Sequence, residues 1–260
     1  MNDSALIGHS GFVGTTLLKQ VSVEHLFRST NIGDISGRNF DTVLCAGAPA
    51  QKWIANREPQ ADLAGIDTLI SHLETVQCRR FILFSTVDVF HDPDGVDELT
   101  PVTTDQLQPY GRHRYRLEEF VRRHFENHLI VRLPGLVGPG LKKNVLFDFL
   151  NSNNLEQIES RSVFQFYPMV NLWDDVQTAI DLGLSLVHLT AAPLNVSHIA
   201  RRCFGLDFRN QRTSEPVRYD FRSIHASAFG GSALYQYDER AALTMIRAYA
   251  QSESRTQVIP

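Results

Sequence analysis

The sequence is poor in cysteine, methionine and tryptophan, with 3, 3 and 2 copies among 260 residues. Cys45, Cys78 and Cys203 are an odd set at wide spacing without a CxxC pair. That excludes a disulfide framework or a zinc ribbon and fits a reducing compartment. Excess positive charge is also missing: 25 Lys and Arg against 29 Asp and Glu give a formal charge of −4. No global basic field therefore points to nucleic acid or to an anionic membrane. Long apolar runs are lacking too. The longest uncharged stretch, Leu182 to Ala200, is interrupted by His188, Pro193, Asn195, Ser197 and His198. It reads as the end of a buried helix, a turn at Pro193 and a short strand, not as a membrane span. The N-terminus has neither a positively charged start nor the apolar core of a signal peptide, so a cytoplasmic protein is expected. What remains is an ordinary globular composition, 43% hydrophobic and 21% charged. Its size suits one active site with a small-molecule partner.

The first half alternates short apolar runs with helical periods, which predicts an α/β fold with a doubly wound parallel sheet. Ala5-Leu6-Ile7, His25-Leu26-Phe27-Arg28, Thr42–Ala46, Phe81–Ser85 and Leu129–Leu133 are the strand candidates. The runs at 42–46 and 81–85 are continuously apolar, as expected for strands covered on both faces. Phe12, Val13, Leu17, Leu18 and Val21 recur at helical spacing. So do Leu63, Ile66, Ile70 and Leu73, and again Leu117, Phe120, Val121 and Phe125. From Pro134 the texture changes to Gly and Pro breaks and shorter elements. Residues 1–142 plus 166–200 are expected to form a dinucleotide platform, and 143–165 plus 201–260 a small substrate-binding lobe.

Gly8-His9-Ser10-Gly11-Phe12-Val13-Gly14 lies directly after the first strand and opens the first helix. A tight turn, close approach of a pyrophosphate and packing of helix on strand each call for a residue without Cβ, and the helix N-terminus offers N–H groups to phosphates. Gly8, Ser10, Gly11, Phe12, Val13 and Gly14 are therefore the expected cofactor contacts. Inspection excludes a phosphate loop, because Thr15-Thr16 follows Gly14, and a hydrolase elbow, because Phe12 stands where its second glycine is required. At the end of the second strand the chain offers Arg28-Ser29 where a carboxylate would grip an NAD ribose. A guanidinium and a hydroxyl suit a 2′-phosphate better, which favours NADP over NAD.

Further motifs follow in order: Gly33-Asp34-Ile35, Cys45-Ala46-Gly47-Ala48, Phe84-Ser85-Thr86-Val87-Asp88-Val89-Phe90, Pro109-Tyr110-Gly111, and Arg132-Leu133-Pro134 through Gly140. The last is Tyr167 through Val176, which includes Asn171. Taken together they resemble the extended short-chain dehydrogenase/reductase family, the NAD-dependent epimerase/dehydratase-like group that includes nucleotide-sugar epimerases, dehydratases and 4-ketoreductases. The resemblance implies a Rossmann fold and an NAD(P)-dependent oxidoreductase. It implies cofactor contacts from Asp34, Ile35, Ala46, Gly47, Ala48 and Pro134. Substrate contacts would come from Thr86, Val87, Asp88 and Asn144. It further implies Tyr110 as acid/base and Thr86 as the holder of the reacting oxygen. Tyr110 and the residue at 114 would also touch the cofactor. The family's lysine four residues after the tyrosine is here Arg114, giving YxxxR in place of YxxxK.

Positions 110 and 114 lie one helical turn apart, so a cation at 114 still faces the phenol. A free tyrosine titrates near pH ~10, and service as a base at neutral pH needs a shift of about 3 units, or roughly 4 kcal/mol. Arginine supplies the field but cannot lose a proton. Ketone reduction asks Tyr110 only to donate as a neutral phenol, so the substitution harms a reductase less than an epimerase or dehydratase that oxidises first. Plainer alternatives stand beside these readings. Arg114 sits among Arg112, Arg116, Arg122 and Arg123, as on a solvated basic face. The loss of the lysine also suits a dinucleotide-binding sensor with little catalysis. Lys142-Lys143-Asn144 reads either as a diphosphate contact or as a surface loop. His124 and His128 have zinc-like spacing, but no third ligand is evident and no metal is expected. The expected partner is an anionic small molecule. The apolar faces at 63–73 and 117–125 would permit a helix-paired homodimer.

Overall fold

The computed structural model describes residues 3–232 and 234–255. In the first half, strands β1 (Ser4–Ile7), β2 (His25–Phe27), β3 (Asn39–Cys45), β4 (Gln77–Thr86) and β5 (Asp94–Val96) alternate with helices α1 (Phe12–Gln20), α2 (Lys52–Arg57), α3 (Pro59–Leu73) and α4 (Pro109–His124). There follow β6 (His128–Leu133), β7 (Gly135–Val137), α5 (Val145–Asn151), β8 (Val163–Phe164), β9 (Phe166–Pro168), α6 (Leu172–Asp181) and β10 (Leu186–His188). The last elements are β11 (Leu194–Asn195), α7 (Val196–Phe204), β12 (Asp220–Phe221) and α8 (Glu239–Ser252). Two compact units result. The first holds the described residues up to His91, Thr100–Leu133 and Leu172–Val187, and the second Asp92–Leu99, Pro134–Asn171 and the described residues from His188 onward.

The first unit is built on a six-stranded sheet in the order β10-β6-β4-β3-β1-β2. The pairs from β2 through β6 are parallel. Val43, Leu44, Phe81 and Ile82 are fully buried, which is why β3 and β4 read as continuous apolar runs. Register places Ile7 beside Cys45, Cys45 beside Leu83, and Thr86 beside Leu133. The chain leaves β1 toward β2 on one side and returns to β3 on the other, so the carboxyl ends of β1 and β3 flank a topological switch point, where open α/β sheets bind ligands. Below it, Ile66 and Leu73 of α3 and Leu117 and Val121 of α4 are buried in one core with Phe81 and Phe125. The inner faces of both helices are thus committed to this core.

The stretch from 182 to 200 departs from expectation. α6 ends at Asp181, before the stretch begins, and β10 precedes Pro193. After Pro193 only two residues are extended before α7 starts. Asn195 caps that helix, its Oδ1 accepting from Ser197 N at 3.0 Å and His198 N at 3.3 Å.

The second unit has short strand pairs, β7 with β9, β8 with β11 and β5 with β12. Buried side chains satisfy the backbone that such short ladders leave open. Gln165 Nε2 donates to the Ala191 carbonyl at 2.6 Å and to the Phe221 carbonyl at 2.8 Å, and its Oε1 accepts from Phe221 N at 2.7 Å. Glu98 accepts from His188 N, Ser223 Oγ and Ile224 N. Phe149, Ile158, Val196 and Ala200 form an apolar cluster with Phe204 and Phe208 packed on it.

Candidate active site

The glycine turn is held by the sheet. Gly8 has φ +82°, a left-handed conformation, and donates its N–H to the Phe27 carbonyl at 2.8 Å. A Cβ on Gly8 would overlap the Ala46 carbonyl, and one on Gly14 would overlap the Gly8 carbonyl. Gly11 is the extended N-cap of α1 and provides no side-chain cap. The first N–H groups of this helix are thereby left for an external acceptor. Neutral turns and switch points of this kind fit a dinucleotide pyrophosphate, for which Ser10, Phe12 and Val13 would supply backbone contacts. Arg28 and Ser29 are exposed directly after β2, with Arg28 N donating to Asn31 Oδ1 at 2.7 Å and its Nε to Thr30 Oγ1 at 3.0 Å. Asp34 is exposed, whereas the Ile35 side chain is fully buried in the core of the sheet. Ala46, Gly47 and Ala48 follow β3 beside Gly8, and Pro134 directly follows β6 and belongs to the second unit.

Thr86 ends β4 and caps a 3-10 turn over Val87–Val89, its Oγ1 accepting from Asp88 N at 3.2 Å. Tyr110 stands in the first turn of α4, buried, with its phenol near Thr86. Gly111 makes this approach possible, because a Cβ there would overlap the Asp88 carbonyl. The Tyr110 N–H is taken by Asn56 Oδ1 from α2 at 3.0 Å. Burial pushes the phenol above its ordinary value. Arg114, Lys52 and the Thr86 hydroxyl pull it down, and the Asp88 carboxylate pushes it further up. At neutral pH Tyr110 is a protonated donor.

Arg114 is not part of a solvated face: its side chain is 3% exposed. One terminal nitrogen donates to Asp62 of α3 and the other to the Pro49 carbonyl. Its Cζ lies 4.1 Å from the centroid of the Tyr110 ring, a cation over an aromatic face. Asp62 also meets His113 Nδ1 at 2.7 Å. Burial acts to raise the Asp62 carboxyl, but hydrogen bonds from Arg114 and His113 outweigh it and hold the group below the usual range. Arg114 Nε is buried without a protein partner. An orphaned donor there costs roughly 1–3 kcal/mol. A sugar hydroxyl of a bound dinucleotide is the kind of acceptor that would satisfy it, so this group and the glycine cradle both fit the cofactor.

The expected residues fall into two sets. Thr86, Asp88, Tyr110 and Arg114 converge, while the Val87 side chain is buried, 3% exposed. Asn144 lies in the second unit with its amide engaged: Oδ1 accepts from Leu146 N at 2.9 Å and Nδ2 donates to the Leu136 carbonyl at 2.9 Å. It caps α5. His124 stacks on Phe120 with centroids 5.0 Å apart, and His128 Nδ1 pairs with the Phe125 carbonyl at 2.7 Å.

Sequence reasoning missed Lys52, Asn56, Asp62 and Glu118. Glu118 is fully buried on α4, accepting from Ser85 Oγ at 2.5 Å, Arg122 at 2.9 Å and Arg132 at 2.7 Å. It ties α4 to the carboxyl ends of β4 and β6. A signal for it existed, since Tyr110, Arg114, Glu118 and Arg122 form one stripe at four-residue steps.

The sequence profile of the NAD dependent epimerase/dehydratase family matches residues 25–182. No curated protein sequence matches the chain. Among solved structures, dTDP-4-dehydrorhamnose reductase from Bacillus anthracis str. Ames, in complex with NADP, superposes with a TM-score of 0.72 at 14% identity over 97% of this chain and 100% of that one. UDP-glucose 4-epimerase from Thermotoga maritima, with UDP-glucose, gives 0.68 at 15% identity over 95% and 97%. An NAD dependent NDP-hexosamine 5,6-dehydratase involved in tunicamycin biosynthesis gives 0.71 at 16% identity over 96% and 98%. These likenesses establish the Rossmann architecture. With more than half of its length matched by the profile, the chain belongs to the NAD dependent epimerase/dehydratase family and is an NAD(P)-dependent enzyme of the short-chain dehydrogenase/reductase type.

Proposed function

We propose that the protein is an NADP-dependent ketoreductase acting on a nucleotide sugar or a similar anionic, polar carbonyl compound. The observation that carries this reading is the buried Tyr110 phenol, set beside Thr86 at the end of β4 and under the Arg114 guanidinium, 4.1 Å from its ring centroid. A phenol that stays protonated at neutral pH carries the proton that reduction of a ketone requires, whereas an oxidation-first reaction needs it ionised. The cofactor, when bound, supplies the hydride. Thr86 holds the carbonyl oxygen, and Tyr110 donates its proton to that oxygen as the carbonyl becomes an alcohol. The glycine turn holds the pyrophosphate, and Arg28 with Ser29 favours the 2′-phosphate of NADP. The structural neighbour from Bacillus anthracis contains NADP, which agrees with this preference. Asp88 contributes to the substrate side. Asn144 would do so only through the geometry of the α5 cap. Widely spaced free cysteines favour a cytoplasmic setting. A homodimer would need the outer surfaces of α3 and α4.

Family membership supports an enzyme over a dinucleotide sensor. The test is NADPH oxidation with a panel of 4-keto nucleotide sugars, wild type against Tyr110→Phe. The variant is expected to lose about 10²- to 10⁴-fold in kcat while binding NADPH as the wild type does. Equal turnover by the two proteins would remove Tyr110 from the mechanism. Deuterium carried from labelled NADPH and retained at the carbinol carbon identifies net reduction, whereas its return to the cofactor identifies an epimerase or dehydratase cycle.

A further inference from the structure

Arg114 occupies the lysine position of α4, but Asp62 and the Pro49 carbonyl take up its terminal nitrogens. A second cation reaches the same phenol from another element. Lys52 and Asn56 stand one turn apart on the same face of α2. Asn56 receives the Tyr110 N–H at 3.0 Å, and Lys52 Nζ donates to Asp88 Oδ1 at 2.7 Å. Asp88 in turn contacts Thr86 twice, through its N–H at 3.2 Å and through Oδ2, 3.4 Å from the hydroxyl. The Asp88 side chain is 19% exposed and that of Lys52 is 46% exposed.

We propose that Lys52 is a positioning residue for the reduction: by pairing with Asp88 it cancels the carboxylate's field at the Tyr110 phenol and weakens the hold of Asp88 on the Thr86 hydroxyl, which then turns more readily to the reacting oxygen. The inference rests on the ketoreductase reading of Tyr110 and Thr86. An unbalanced Asp88 carboxylate is the stronger acceptor for the Thr86 proton. It would also make the phenol a weaker acid. The charged groups facing Tyr110 are Arg114 from α4, Asp88 from the turn after β4 and Lys52 from α2, with Asp62 of α3 against Arg114. They form two ion pairs, Arg114 with Asp62 and Lys52 with Asp88. Loss of Lys52 leaves one surplus negative charge beside the phenol. Arg114 cannot move to correct this, because Asp62 and the Pro49 carbonyl hold its terminal nitrogens. The site has therefore moved its adjustable cation from the catalytic helix to α2.

The test needs no substrate. Protein labelled at tyrosine Cζ with carbon-13 is titrated by NMR, the Tyr110 signal being the one absent from Tyr110→Phe. Lys52→Met is expected to raise the Tyr110 midpoint by about one pH unit, Lys52→Arg to leave it near the wild-type value, and Lys52→Met combined with Asp88→Asn to bring it back down. The alkaline limb of kcat for NADPH oxidation should move in the same direction as the midpoint in Lys52→Met, with a lower plateau and an unchanged KM for the carbonyl substrate. Lys52→Gln serves as a second charge-removing variant. An unmoved midpoint in Lys52→Met and Lys52→Gln overturns the inference. So does an equal shift in Lys52→Arg. Absence of reduction by the wild type would instead refute the ketoreductase reading, with the titration still deciding whether Lys52 and Asp88 set the phenol.

Discussion

Replacing Arg114 by lysine restores the family's YxxxK spacing, and a motif-based view expects a gain. The structure predicts a loss. Arg114 donates to Asp62 and to the Pro49 carbonyl and lies 4.1 Å above the Tyr110 ring. A lysine can keep the Asp62 partner, but one ammonium cannot also reach the carbonyl in the opposite direction of a planar fork. Losing a hydrogen bond from a charged donor at this buried site costs about 2 kcal/mol. Losing the stacked guanidinium adds about 1 kcal/mol. Together these give about 3 kcal/mol, and removal of the unpartnered Nε returns about 1–3 kcal/mol, so the net loss is at most about 2 kcal/mol, or a fall in Tm of up to about 8 °C for a chain of this size. The assay is urea unfolding followed by circular dichroism, where Arg114→Lys should lower the midpoint without changing the slope. NADPH binding checks that the site is still formed. If Arg114→Lys matches or exceeds the wild type in stability and reduces faster, Arg114 is a replaceable tenant of a lysine site and the packing argument is wrong.

Two other expectations concern the scaffold. Glu118→Gln leaves Arg132, 2% exposed, without its carboxylate, and should cost about 3–5 kcal/mol in the same unfolding assay. A change below about 1 kcal/mol would show that the glutamate is not the tie between α4 and the strand ends. Burial pushes the Cys45 thiol up to about 11, Cys78 to about 12 and Cys203 to about 11. Native protein at pH 8 should therefore react slowly with a disulfide reagent and rapidly once unfolded in urea. Fast native labelling of any of the three would contradict this.

The strands were legible because a parallel sheet buried on both faces leaves continuous apolar runs, as in 81–85. The glycine turn was legible because steric exclusion of a Cβ acts within a few residues of sequence. Thr86 and Tyr110 were legible as motifs. Their partners were not: Asp62 meets Arg114 across 52 positions, Lys52 meets Asp88 across 36 and Asn56 meets Tyr110 across 54. No local spacing encodes such pairs; only the crossover that lays α2 and α3 beside α4 creates them. The start of α7 was misjudged for a different reason. Apolar content in 182–200 suggested a short strand after Pro193, which is present over Leu194–Asn195, but it hid the helix that Asn195 caps directly after it.

The Asp62 and Arg114 pair constrains the history of the site as well as its chemistry. An arginine arriving at 114 without an acid at 62 would bury an uncompensated charge, and an aspartate remaining after the arginine left would keep only His113 as its partner. The two positions are thus expected to be strongly non-additive: a neutral residue at 114 strands the acid, whereas a lysine there keeps it as a partner. Position 114 is held to a cation by its neighbour. Chains that share YxxxR are expected to share the acid on the crossover helix, and the pair together marks them more reliably than the tyrosine motif alone.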